Sequence, residues 1–231
     1  TKDNNSLYLI NLTTKKIIQQ IKLPAEAYTC LLSPNKKELY ISCWGCDKIL
    51  IFDTQKNSIR TEIAVGDNPN DICRTANGKY LFVANANDNS VSVIDIKNAK
   101  VIETLSSSLF AAAPPGSTTN AVALSGDEKT LYIANADNNS VAVFDVSKPG
   151  FSQSKGFIPV GWYPTCVKVI GKKIWVTNGK GFSSLANPNG PNLLKNRKVV
   201  FQGNDKTTHV KEQYIGGLFT GTMSIIDEPT L

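Results

Sequence analysis

Short apolar runs and polar turns alternate along this chain, and they recur as a unit. Leu39–Asp53 (LYISCWGCDKILIFD), Leu81–Asp95 (LFVANANDNSVSVID) and Leu131–Asp145 (LYIANADNNSVAVFD) share one order: apolar run, small polar turn, apolar run, terminal Asp. The terminal aspartates stand 42 and 50 residues apart, the second interval lengthened by an Ala/Pro/Gly-rich segment over 106–117. Short runs rich in Val, Ile, Tyr and Phe, bounded by Asn, Asp, Gly and Ser, predict strand–turn–strand; no stretch holds a helical spacing long enough to compete. A third run precedes each unit (Cys30–Ser33, Ile72–Thr75, Ala121–Ser125), and a fourth follows at Ser58–Val65 and Lys100–Leu105. Four short antiparallel strands in roughly 40–45 residues make one propeller blade.

Ser6–Leu12 and Lys16–Leu23 match the third and fourth strands of the unit, so the chain opens in mid-blade. Whole units follow at about 27–65, 69–105 and 119–160. A fifth runs from Gly161 to Asn178, breaks into an excursion, and resumes at Thr222–Asp227. The prediction is therefore all-β: one partial β-propeller domain over 1–231, with seventeen strands in about five four-stranded antiparallel blades, the first and last incomplete, and insertions at 106–117 and 182–213. Closed propellers need whole blades, so the expectation is part of a seven-bladed ring within a larger protein.

Composition supports this picture. The chain has 231 residues, 41% hydrophobic, enough for a sizeable core, and its 11 Pro and 16 Gly suit many turns. No apolar stretch approaches the length of a membrane-spanning helix. The net charge is +6, and Lys36, Lys37, Lys56, Lys79, Lys97, Lys100, Lys129, Lys172 and Lys173 all stand at hairpins expected on one face. Such lysines keep strand edges apart; they could also form a surface for nucleic acid or another polyanion. They lie in separate turns without interleaved aromatics, and no nucleic-acid motif accompanies them. The excursion adds Lys195, Arg197, Lys198, Lys206 and Lys211 against Asp205 and Glu212.

Because strands alternate in direction, second-to-third and fourth-to-first connections share the other face. All the distinctive loops fall there: CysTrpGlyCys at 43–46, the Asn/Asp turns at 85–90 and 135–140, the 106–120 segment, Gly161-Trp162-Tyr163-Pro164 and the excursion after Asn178. Long loops on a rigid scaffold commonly carry function. Trp44, Asn120, Trp162, Tyr163, Asn178 and Lys180 are accordingly the candidate ligand or domain-docking residues, with Trp162 and Tyr163 foremost because aromatics offer large amphipathic area.

Catalytic signals are weak. Cys43 and Cys46 have a Cys-x-x-Cys spacing, but in a strand turn rather than at a helix N-terminus, and zinc would need two further ligands. Small residues tolerated in a turn, with an incidental disulfide, account for them. Cys30, Cys73 and Cys166 fall in first strands and are expected to be buried. The only histidine, His209, has no nucleophile motif around it. The Asn/Asp turns lack the Gly and Glu of a calcium loop and read as local turn chemistry. No metal, cofactor or catalytic residue is predicted in this segment.

Asn68-Pro69, Asn77-Gly78-Lys79, Leu81–Asn85 and Ser92–Asp95 resemble the YVTN repeat of YncE-like bacterial β-propellers, and the resemblance covers nearly the whole chain. Pro114–Ala121, Gly156–Pro164, Asn178–Gly181 and Tyr214–Ile225 further resemble the late blades of bifunctional proteins in which such a propeller precedes an alkaline-phosphatase-like phosphoesterase domain. The resemblance implies a phosphoesterase domain after residue 231 holding the divalent metal, a docked or fused phosphoesterase partner, and a periplasmic or secreted location.

Overall fold

The computed structural model describes residues 4–110, 113–183, 186–187, 190 and 215–229. Seventeen strands and one short 3-10 turn (Ile215–Leu218) make up their regular structure. Blade 1 holds β1 (Ser6–Ile10) and β2 (Ile17–Lys22). Blade 2 holds β3 (Ala27–Leu32), β4 (Glu38–Cys43), β5 (Lys48–Asp53) and β6 (Ser58–Ala64). Blade 3 follows with β7 (Pro69–Arg74), β8 (Tyr80–Asn85), β9 (Ser90–Asp95) and β10 (Lys100–Ser106). Blade 4 comprises β11 (Thr119–Leu124), β12 (Thr130–Asn135), β13 (Ser140–Asp145) and β14 (Gln153–Pro159). Blade 5 has β15 (Pro164–Ile170), β16 (Lys173–Asn178) and β17 (Thr222–Asp227). Every pairing is antiparallel between sequence neighbours, so the predicted all-β propeller stands, including its incomplete first and last blades.

Each blade is a sheet with two apolar faces, and the core lies between sheets. The forward face of blade 2 (Tyr40, Ile49, Ile51, Ile63) packs on the backward face of blade 3 (Ile72, Leu81, Val83, Ile94, Ile96). Phe82, Ala84, Val91 and Val93 of blade 3 meet Val122, Leu131, Ile133 and Phe144 of blade 4 in the same way. Tyr132, Val141 and Val143 of blade 4 then meet Val167, Ile174 and Val176 of blade 5. This two-sided burial explains why the middle strands read as continuous apolar runs rather than alternating ones. Each fully buried Ile or Val contributes about 1.5–3 kcal/mol.

Local chemistry sets the turns. Asp53 Oδ1 accepts the Gln55 and Lys56 amides at 2.8 and 2.9 Å, and Asn11, Asp95 and Asp145 cap the corresponding turns of their blades. These bonds hold the Asp53 carboxyl below its ordinary range, the Lys56 amide foremost, and the same direction applies to Asp95 and Asp145 through Asn98 and Ser147. The repeated aspartates are thus turn-formers. The first-strand cysteines correct one expectation: Cys73 and Cys166 are only partly buried, and Cys30 is exposed because blade 1 has no inner strands in the described residues to cover that end of β3.

Candidate functional site

The fourth-to-first connections cross over the second-to-third turns, and one residue in each turn ties them down. Asp47 Oδ1 accepts the Asn68 amide at 3.0 Å; Asn89 Oδ1 accepts the Gly116 and Ser117 amides at 2.9 and 2.5 Å; Asn139 Oδ1 accepts the Tyr163 amide at 2.8 Å. The three are equivalent and left-handed, with φ of 54°, 50° and 51°. Their backbone carbonyls bind the same crossings, accepting from Val65, Ser107 and Val160. The sequence suggested local turn bonding for these residues; their side chains instead clamp one blade to the entry of the next.

The crossings end in a second repeated feature. Asn68, Thr118 and Tyr163, each immediately before a first strand, are also left-handed, at 53°, 48° and 59°. Such a conformation costs a non-glycine residue about 1 kcal/mol, and backbone bonds offset it: their carbonyls accept from Ala86, Ala136 and Gly179 at 3.1, 2.9 and 2.8 Å. The first strands then start with a register slip in every blade that has one. The slip brings Asn70 and Asn120 into line on neighbouring inner strands, where Asn70 Nδ2 donates to Asn120 Oδ1 at 3.2 Å. Asn120 Nδ2 points on toward the Pro164 and Thr165 carbonyls at 3.4 and 3.5 Å. A lateral amide chain therefore links blades 3, 4 and 5 at the loop-face ends of the inner strands.

Around this chain stand the other candidates. Tyr163 is half-buried and Lys180 Nζ lies 4.0 Å above its ring centroid, a cation–π pair. Burial raises the Tyr163 phenol, and the Asp137 carboxylate and the Tyr28 phenol push it further. Trp162 is 38% exposed, and its backbone bonds Gly181 and Lys180 at 2.6 and 3.0 Å. Trp44 is half-buried on the turn of blade 2, where its carbonyl accepts Asn68 Nδ2 at 2.9 Å. Trp162, Tyr163 and Lys180 thus form one cluster, Asn120 belongs to the amide chain beside it, and Trp44 stands apart on another blade.

Asn178 lies beneath the surface, 1% exposed. Its Nδ2 donates to Thr222 and Ser224 hydroxyls at 3.3 and 3.0 Å, tying β16 to β17 across the excursion. Asn85 makes the same ties in blade 3, to Ser90 and Ser92 at 2.9 and 3.0 Å. Gly161 and Gly66 close over these two asparagines: a Cβ at Gly161 would stand 2.7 Å from the Asn178 side chain, and one at Gly66 would stand 2.6 Å from Asn85 Nδ2.

The loop face also exposes apolar side chains that sequence reasoning missed: Leu109 and Phe110 on the 106–118 crossing, and Phe182, Ile215 and Phe219 near Gly181. An isolated Phe in a loop carries no periodic signal, so only the placement of the loops reveals the grouping. Two open grooves lie on the opposite, hairpin face. One of about 610 Å³ between blades 4 and 5 is lined by Tyr132, Lys129, Lys155, Lys172 and Glu228. The other, about 570 Å³, lies between blades 2 and 3 against Tyr40, Glu38, Tyr80 and Lys79. Lys129 and Lys155 there pair with Asp127 and Asp145, which moderates the charge of the first groove.

Cys43 is fully buried and its thiol is pushed up to about 12, chiefly by burial and then by Cys46, the opposite of an activated nucleophile. No cluster of three potential metal ligands occurs among the described residues, and no described helix is long and apolar enough to cross a membrane. His209 and the charged residues from Lys195 to Glu212 lie outside the described residues.

Comparison with known proteins agrees with this geometry. Over 78 residues the chain is 28% identical to Antigen Lp49 of Leptospira interrogans serogroup Icterohaemorrhagiae serovar copenhageni (strain Fiocruz L1-130), a match covering 34% of the chain and 17% of that relative. A Kuenenia stuttgartiensis hydrazine synthase structure superposes with a TM-score of 0.61 at 22% identity, over 76% of this chain and 50% of that one. A putative 6-phosphogluconolactonase from Bacteroides uniformis gives 0.63 at 17% identity, over 74% of this chain and 56% of that one. The chain thus spans only about half of either structure. The family described as "Lactonase, 7-bladed beta-propeller" matches residues 25–164, which take in all three complete blades and the Gly-Trp-Tyr-Pro crossing. With well over half its length so matched, the chain belongs to the seven-bladed lactonase-type β-propeller family.

Proposed function

We propose that this chain is a non-catalytic binding module whose loop face docks a second domain, and that the domain is an alkaline-phosphatase-like phosphoesterase following it in a longer periplasmic or secreted polypeptide. One observation carries the docking reading: the crossings and the β16–β17 excursion of the loop face hold Leu109, Phe110, Trp162, Phe182, Ile215 and Phe219 exposed, beside crossings fixed by the Asp/Asn clamps. Exposed apolar groups rimmed by polar ones are what a partner surface needs. The phosphoesterase identity rests on the resemblance of the YVTN-type repeats and the late-blade segments. Any divalent metal would then belong to that partner domain. The lactonase family and the Bacteroides uniformis neighbour, a putative 6-phosphogluconolactonase, raise lactone hydrolysis as the competing activity.

The test is a titration of this chain with the phosphoesterase region of its parent polypeptide, alongside an assay on 6-phosphogluconolactone. Wild type is expected to bind, Trp162→Glu to bind about tenfold more weakly, and neither to hydrolyse the lactone. Equal binding by both, or lactone turnover by the chain, contradicts the reading.

A second reading is favoured by the division of charge. Among the described residues, the loop-face turns carry Glu26, Asp47, Asp67, Asp88 and Asp137 against Lys180. The hairpin-face turns carry Lys15, Lys16, Lys36, Lys37, Lys56, Lys79, Lys97, Lys129, Lys148 and Lys172 against Asp127, Glu128 and Glu228. A basic face of this kind suits nucleic acid or another polyanion. Under this reading, affinity for duplex DNA falls steeply with salt and is lost on Lys36→Glu with Lys37→Glu.

A further inference from the structure

Blade 2 lacks the tie that blades 3 and 5 use to join their second and third strands, and it also lacks the asparagine of blade 4, where Asn135 donates to the Ser107 carbonyl at 2.7 Å instead. In blades 3 and 5 the last residue of the second strand is a buried asparagine, and its amide donates to two hydroxyls on the third strand. At the equivalent place in blade 2 stands Cys43, fully buried, and the hydroxyl positions are taken by Lys48 and Leu50. Neither the amide nor the hydroxyls are present there. The turn instead holds Cys46, half-buried, whose backbone amide donates to the Cys43 carbonyl at 3.2 Å. That bond closes a four-residue turn, whose first and last Cα atoms lie within about 7 Å, the span a disulfide can bridge. Both thiols are free in the structure, and Cys46 packs against the apolar cluster that holds Cys43.

We propose that Cys43 and Cys46 form a disulfide that locks the β4–β5 turn, taking in blade 2 the part that the asparagine amides play in blades 3 and 5. The oxidant is a small or protein disulfide. The Cys46 thiolate attacks one of its sulfurs, giving a mixed disulfide and releasing one thiol. Cys43, after giving up its proton, attacks the Cys46 sulfur, forming the intramolecular S–S bond and releasing the second thiol. Two protein thiols are oxidised and one donor disulfide is reduced to two thiols. Burial disfavours the Cys43 thiolate, so the second step is slow and the reduced state gains nothing from a stabilised thiolate; the bond is structural rather than an oxidant of other proteins. Trp44 falls inside the closed ring. Its carbonyl accepts Asn68 Nδ2, so the lock also fixes this contact between blade 2 and the entry to blade 3.

The experiment uses the whole chain, treated with oxidised glutathione, alkylated and digested with trypsin. Of the five cysteines, Cys30, Cys73 and Cys166 are expected to be alkylated, and the peptide from Glu38 to Lys48 to be lighter by two hydrogens. The melting midpoint should rise by about 5 °C on oxidation in wild type and not in Cys46→Ser. Cys43→Ser serves the same purpose should Cys46→Ser fold poorly. Five alkylated cysteines after exhaustive oxidation would overturn the proposal. So would Cys46 held as a persistent glutathione adduct, or a stoichiometric zinc ion that blocks oxidation.

Discussion

The two faces of this propeller are held together in different ways. On the hairpin face, most turns are short and bonded by their own Asp or Asn, with Glu103 and Glu128 reaching in from neighbouring blades, and the side chains left over are mostly lysines. On the loop face, connections cross between blades, and Asp47, Asn89 and Asn139 hold them by bonds 21 to 28 residues distant in sequence. Once the backbone of a crossing is clamped, its side chains are released from structural duty and its length can vary. Residues 106–118 show both freedoms and expose Phe110, while Trp162 stands on the 160–163 crossing and Phe182 and Phe219 on the excursion after Asn178.

The contrast can be measured, and the largest effect is expected at high pH. Tyr40 and Tyr132 border the hairpin-face grooves, with phenols raised from 10.0 to about 12 by burial first and then by Glu38 and Glu228. Unfolded tyrosine ionises near pH 10, so the stability these groups contribute is complete below pH 10 and is lost as pH rises toward 12. Tyr40→Phe and Tyr132→Phe should flatten that decline in an alkaline unfolding series. Phe82 occupies the equivalent place in blade 3, so the ring itself fits. A greater flattening by Tyr163→Phe would reverse the assignment.

Glycine substitutions probe packing directly. Gly161→Ala on the loop face pushes a Cβ to 2.7 Å from Asn178 and 2.8 Å from the Gly181 carbonyl and should cost about 2 kcal/mol in a denaturant titration. Gly126→Ala on the hairpin face meets nothing within 4 Å and should cost less than about 0.5 kcal/mol. Equal costs would remove the claim that the crossings are tightly held. Next in size, Asn139→Ala leaves the Tyr163 amide without its acceptor and should cost about 1 kcal/mol, while loosening Trp162 more than global stability implies, seen as faster hydrogen exchange over 160–164. Smallest, Lys36→Glu with Lys37→Glu should change stability by no more than about 0.5 kcal/mol, since both side chains are exposed.

Strands and blade order were legible because period and turn chemistry are local. SVSVID in blade 3 and TMSIID in blade 5 read alike, and both form third strands. Their burial was not legible. Val91 and Val93 are fully enclosed by blade 4, whereas the equivalent Met223 and Ile225 are 54% and 51% exposed because no described sheet covers that flank. The same dependence on a neighbour exposes Cys30. Of the candidate site, the loop face and the Trp162–Tyr163–Lys180 cluster followed from counting strands. Asn178 reads in sequence as a strand-end residue facing a ligand or partner domain yet is a buried tie, because only the third strand returning after a long excursion supplies its hydroxyl partners. The inter-blade clamps escaped for a similar reason: an Asn beside its own turn suggests local bonding until the crossing above it is placed.

The most direct test of the docking claim compares residue-resolved radical footprinting of this chain with that of the longer polypeptide proposed to contain it. Phe151, 82% exposed on the hairpin face, is the internal control for Phe182, 78% exposed on the loop face. Docking predicts that Trp162, Phe182 and Phe219 become protected in the longer protein while Phe151 is labelled equally in both. Equal labelling of Phe182 in the two lengths, or protection of Phe151 alone, would contradict a loop face built for docking.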